Sequence, residues 1–200
     1  MKKREYSAGA VKLSFWFAEF RKVVTLLRSG KNIQEIKALV VNENLFSAAT
    51  AMRSAQIWST ISARVTSLPD DFYELFEESG LDTQKLIVLL SIMETDALFL
   101  DFMNDVYKEK LITSDTQITD ADIRVFFANK QRQSEKVSRW TDETLIRLQR
   151  CYKTYLSEAG ILERGIGDRK IIKQIIDEKL ARLLSGTNRK QAYNIFSGTR

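Results

Sequence analysis

The sequence predicts a mainly α protein, and three observations carry that reading. One proline in 200 residues leaves the backbone hydrogen bonds of helices almost uninterrupted. Apolar residues recur at i, i+3 and i+4 over most of the chain, the period of a helix with one buried face. Capping residues and glycines punctuate those runs where helices should begin and end.

Taken in order, Ser14 is placed to cap a helix through about Arg28, with Trp16, Phe20, Val23, Val24 and Leu27 on one face and Gly30 ending it. Asn32 caps a short helix over about 33–41 that carries Ile33, Ile36, Leu39 and Val40. Asn42-Glu43-Asn44 breaks the pattern, and Ser47 caps a longer helix to Leu68, just before Pro69. Acidic helices follow over about 70–79, 82–93 and 96–111, with Gly80 stopping the first. Residues 113–117 lack large apolar side chains and read as a linker. Thr119 and Asp122 resemble a capping box that opens a helix to about Gln133. Thr141 caps another through Glu158, closed by Gly160. Residues 161–173 fit either a short β-hairpin around Gly165-Ile166-Gly167-Asp168 or the start of a helical stripe; a hairpin followed by a helix from about Asp177 satisfies both patterns. The expected organisation is two small helical domains, 1–112 and 118–200, with helix-turn-helix or winged-helix-like units and at most that one hairpin.

Composition narrows the chemistry. With 44% hydrophobic and 28% charged residues the chain matches ordinary globular proteins. Its longest uncharged stretch, residues 54–63, is far short of the about 20 apolar residues that span a bilayer. The basic start (Lys2, Lys3, Arg4) runs into Glu19 and Arg21 and does not form a signal peptide. A cytoplasmic protein without membrane contact is expected. No histidine is present, so no Ser-His-Asp or Cys-His nucleophile can be assembled. The eight glycines never approach a phosphate-loop spacing. Asp70-Asp71 and Glu77-Glu78 are sequence neighbours that point about 100° apart on a helix, as a solvated acidic face does. A non-enzyme is expected, with no cofactor, no metal and no small-molecule substrate. Cys151, beside an apolar arc, reads as a small core residue.

Charge supplies the positive signal. Residues 1–67 hold 11 Lys/Arg against 4 Asp/Glu, residues 68–122 hold 3 against 14, and residues 123–200 hold 17 against 8. A net charge of +5 therefore hides two basic ends around an acidic middle. Basic surface gathered on separate elements is the footprint of a phosphate-backbone binder, and an acidic middle would confine any nucleic-acid path to the ends.

Two helix pairs offer such a surface. The pair within 33–67 has helix-turn-helix proportions, and Arg53, Gln56, Thr60, Arg64 and Ser67 fall within about 80° of one another. The adjoining arc is apolar (Ile57, Trp58, Ile61, Val65, Leu68), so the polar stripe is expected to face out, where such side chains meet phosphates or base edges. The second pair, about 120–133 and 142–158, places Arg147, Arg150, Thr154 and Ser157 opposite Leu145, Leu148, Tyr152, Tyr155 and Leu156. Arg139 crowds the connection, and Arg164, Arg169, Lys170 and Lys173 decorate the possible wing. Tyr152, Tyr155, Phe126 and Phe127 read as core rather than as base-stacking platforms.

Tyr6-Ser7-Ala8-Gly9, the Glu43-Asn44-Leu45-Phe46 turn, Arg64-Val65-Thr66-Ser67-Leu68, the Trp140-Thr141 helix start and the Ala159-Gly160-Ile161-Leu162 turn together resemble the BrxA family, small accessory proteins of bacteriophage-exclusion (BREX) defence systems. The resemblance covers most of the chain. It implies an all-helical or winged-helix protein that binds double-stranded DNA without enzymatic activity, alongside other proteins of the system. No catalytic residue is carried over. Two competing expectations are an adaptor whose acidic middle docks a basic partner, and an RNA-binding helical regulator.

Overall fold

Backbone caps and turns decide where the helices begin. A computed structural model describes residues 5–199; Lys2, Lys3 and Arg4 lie outside them. A 3-10 turn at Gly9–Lys12 leads into α1 (Phe17–Arg28). Ser14 does not cap that helix. Trp16 sits at its N-terminus in the left-handed region, φ 55°, and the carbonyls of Ser14 and Phe15 turn inward to Arg64. Asn32 opens α2 (Ile33–Asn42) with a full capping box to Glu35, which satisfies orphan amides from both sides. Ser47 also lies at positive φ, 51°, so α3 (Ala51–Thr66) starts from Thr50, whose hydroxyl accepts the amide of Arg53.

The acidic segment forms α4 (Asp70–Glu78), α5 (Leu81–Thr95) and α6 (Ala97–Phe102). α6 runs on through a π-helical stretch, Met103–Lys108, into α7 (Glu109–Ile112). The expected linker ends in a strand, β1 (Gln117–Ile118), because Ile118 is fully buried and its neighbours pair with a later segment. Thr119 and Asp122 make the capping box of α8 (Asp120–Gln133). The connection holds one further turn, α9 (Glu135–Ser138), before Thr141 caps α10 (Asp142–Glu158). β2 (Arg169–Lys170) runs antiparallel to β1. On its other side Leu162 bridges Ile171, so residues 161–172 do form a hairpin. Asp177 caps α11 (Glu178–Gly186), and α12 (Lys190–Ser197), which the sequence did not suggest, closes the chain.

One hydrophobic core takes in residues from both expected domains. Phe99 and Phe102 of α6 lie 5.0 and 5.2 Å from the ring of Tyr152 on α10, and Phe99 meets Tyr155 edge-on at 5.5 Å. These are ordinary separations for edge and tilted aromatic pairs, which add to the area they bury. α12 packs on the π-helical stretch. Just after it, Gly198 at φ 68° comes so close that an added Cβ would stand 2.7 Å from that of Leu111. Arg189 ties the C-terminal segment back by pairing with Glu94 at 2.9 Å and donating to the Ser67 carbonyl.

Candidate nucleic-acid interface

Charge segregated along the chain is partly neutralised in space. Arg28 pairs with Glu77, Lys179 with Glu78, and Lys130 with Asp101 at 2.5 Å and Asp105 at 3.0 Å. Lys130 is itself buried. Burial, the largest single influence, lowers its pKa, but the hydrogen bonds and negative charges of the two carboxylates together outweigh it and raise it. Several basic residues of the two ends thus pair with the acidic middle, Lys130 in the interior and Arg28 and Lys179 at the surface.

The first stripe is not an outward face. Arg64 is 2% exposed. Its Nη1 donates to the carbonyls of Ser14 (3.0 Å) and Phe15 (2.8 Å), and its guanidinium lies 5.8 Å from the ring centroids of both Trp16 and Tyr155. Arg53 is half-buried, its guanidinium 5.1 Å from the Trp16 ring centroid. The Gln56 amide reaches the Lys12 carbonyl, and Thr60 hydrogen-bonds its own helix at Gln56. The reason is geometric: on α3, Arg64 lies only about 20° from Ile57, so it falls inside the buried arc once residues 12–16 strap across the helix. Arg64 must be removed from any set of phosphate contacts.

The second stripe is outward. Arg147, Arg150 and Thr154 are exposed along α10, opposite the buried Leu148, Tyr152, Tyr155 and Leu156. Among the described residues neither arginine makes an ion pair. Arg139 is exposed but ion-paired with Glu135 one turn earlier, and Arg164, Lys170 and Lys173 are exposed around the hairpin. Arg169 points inward: its Nη1 donates to Ser157 Oγ at 3.0 Å and to the Lys153 carbonyl, so it fastens the hairpin to α10. Cys151 packs against the Ala10 carbonyl, and burial pushes its thiol up to about 11, leaving it unreactive.

Between α8, α10 and the hairpin loop lies a groove of about 780 Å³. Arg124 and Arg150 line it with the apolar Phe127, Leu145, Ile146 and Ile166. Its floor is a clasp. The buried Lys153 ammonium meets Asp120 and donates to the Gly167 carbonyl at 2.7 Å. Gln149 also donates to Asp120, and Asp168 accepts the Asp120 amide at 2.8 Å. The hydrogen bond from Lys153, more than any other contribution, holds the Asp120 carboxyl below its usual range. Sequence reasoning missed this set. Its signal was a cation, Lys153, one position after Tyr152 at the edge of an apolar arc.

The family model of BrxA matches residues 4–188. The chain belongs to the BrxA family. BREX protein BrxA from Bacillus cereus (strain H3081.97) is 38% identical over 177 residues, covering 88% of each protein. A crystal structure of an uncharacterized protein from Magnetospirillum magneticum has a TM-score of 0.80, covering 98% of this chain and 100% of that one, at 14% identity; this is a likeness of fold alone. BrxA is a component of BREX phage defence. Three of the motifs that pointed to BrxA hold structure here. Tyr6 donates to Asp101, Asn44 at φ 46° closes its turn on Ala48, and Arg64 is the buried residue just described. Among the described residues no helix is long and apolar enough to cross a membrane.

Proposed function

We propose that this BrxA-family protein serves BREX phage defence in the cytoplasm as a non-enzymatic binder of duplex DNA, held mainly through phosphates with weak sequence preference. The observation that carries the reading is the exposed pair Arg147 and Arg150 on α10, beside a basic hairpin clasped to the same helix. The order β1, α8, α10, Leu162, turn, β2 is read as a winged-helix unit with an enlarged turn that includes α9. In it α10 lies along the duplex, with its Arg147, Arg150 and Thr154, and Arg139 just before it, at the contacts. Arg164, Lys170 and Lys173 reach the neighbouring backbone from the hairpin, where point charges suffice. Arg124, across the groove, joins this set.

Gel shift with duplex DNA, single-stranded DNA and RNA, each at two salt concentrations, tests it. For roughly six neutralised phosphates, log affinity for the duplex should fall with log salt at a slope of about −5. No duplex binding at low salt, or a salt-insensitive interaction, favours an adaptor. Preference for RNA favours the helical RNA regulator.

A further inference from the structure

Ile166 stands almost wholly in water, 98% exposed, at the tip of the hairpin loop on the rim of the groove. Burying an isoleucine side chain is worth about 1.5–3 kcal/mol, so a position that forgoes this calls for an explanation. Ile175 is as exposed, but it lies in the segment before α11 and does not line the groove. The tip is built to present its side chain. Gly165 (φ 155°) and Gly167 (φ 70°) flank Ile166 in conformations that side chains rarely adopt. The base of the loop is held by Lys153 on the Gly167 carbonyl, Asp168 on the Asp120 amide and Arg169 on Ser157. Cations stand around it: Arg164 and Lys170 on the hairpin, Arg124 and Arg150 along the groove.

We propose that Ile166 is an apolar wedge that enters the minor groove of duplex DNA and opens a base step, so that the bound duplex is kinked. This rests on the reading of α10 and the hairpin as a duplex-binding surface. The flanking cations supply the attraction to phosphates, and the anchored loop limits the entropy lost on insertion. An inserted aliphatic side chain gains the burial it lacks in the free protein, against an unstacking cost of a few kcal/mol per step. Flexible pyrimidine–purine steps unstack most readily, so the weak sequence preference should favour TA and CA steps.

The test is a duplex of about 30 base pairs labelled at both ends, with bending read by energy transfer and affinity by titration at several salt concentrations. The parent, Ile166→Ala, Ile166→Phe and the double variant Arg147→Glu, Arg150→Glu are compared. Ile166→Ala is expected to bind roughly tenfold more weakly with little bending and an unchanged salt slope, because no charge is altered. Ile166→Phe, which keeps a large apolar side chain, should bend the duplex as the parent does. If the parent binds without bending, or Ile166→Ala binds and bends like the parent, the wedge is wrong and the duplex-binding reading stands. If the parent ignores duplex DNA at low salt, both fall.

Discussion

Lys153 Nζ donates to the carbonyl of Gly167 at 2.7 Å while also meeting the carboxylate of Asp120. One buried cation thereby joins three elements: α10, the start of α8 and the hairpin loop. Its side chain is 5% exposed, whereas that of Asp120 is 36% exposed. Lys153→Ala leaves the Gly167 carbonyl without this donor and the Asp120 carboxylate with Gln149 but no cation. The expected cost is about 2 kcal/mol, below the roughly 3–5 kcal/mol of a fully buried pair because Asp120 still reaches water. For a chain of this size that lowers the melting temperature by about 4–8 °C. Hydrogen exchange should accelerate first around residues 163–168, and a uniform acceleration would contradict the clasp.

The same clasp makes stability depend on pH. The folded pKa of Asp120 is depressed, so its contribution is fully present above the unfolded value of about 3.9 and is lost as pH falls through the lower folded value. Asp120→Asn lacks the charge at every pH. Its stability deficit relative to the parent, measured by urea unfolding, should therefore be constant from about pH 7 to pH 5 and shrink on acidification below about pH 4. A deficit that does not change with pH would mean that the carboxylate acts only as a hydrogen-bond acceptor.

Arg64→Ala removes a guanidinium that satisfies two carbonyls and packs against two rings. Loss of about 3 kcal/mol is expected, from both the cavity and the stranded carbonyls. At a temperature where the variant remains folded, its affinity for DNA should match the parent's. A selective loss of DNA binding at unchanged stability would return Arg64 to the surface.

Arg147→Glu with Arg150→Glu is expected to leave the melting temperature nearly unaltered, since exposed replacements usually change stability by no more than about 0.5 kcal/mol. Duplex affinity should drop steeply and the salt slope flatten. Lys31→Glu with Lys37→Glu imposes the same charge change on exposed residues of the N-terminal half. Equal weakening by both pairs would show that net charge alone governs binding.

Several features were legible because they are local. Asn32 with Glu35 and Thr119 with Asp122 are capping boxes written into four consecutive residues each, and both helices start where those boxes say. Thr141, Gly160 and Asp177 likewise bound their elements as expected. The buried arc of α10 was also readable, because a helix of 17 residues repeats its pattern often enough to separate its faces. Ser14 misled because the competing event is not local, Ser47 because the Asn44–Ala48 turn occupies its segment. Trp16 and Ser47 adopt positive φ, which delays the helix start; for Trp16 the inward turn of the chain toward α3 goes with it.

By itself the sequence determined the helical class, the helix starts at Asn32, Thr119 and Thr141 and the exposed arginines of α10, since propensity, capping and periodicity act within a few turns; after Gly160 it left a hairpin and a helical stripe both open. Only the tertiary structure decided which charges remain available. Arg64, Lys130 and Lys153 look like their exposed neighbours in sequence, and each is buried because a distant segment supplies its partners. Removing a cation from water is too costly without such partners, and those partners come together only when the chain is packed. The charge pattern along a sequence therefore sets how many basic groups exist, and packing decides which of them, Arg64, Lys130 and Lys153, leave the surface.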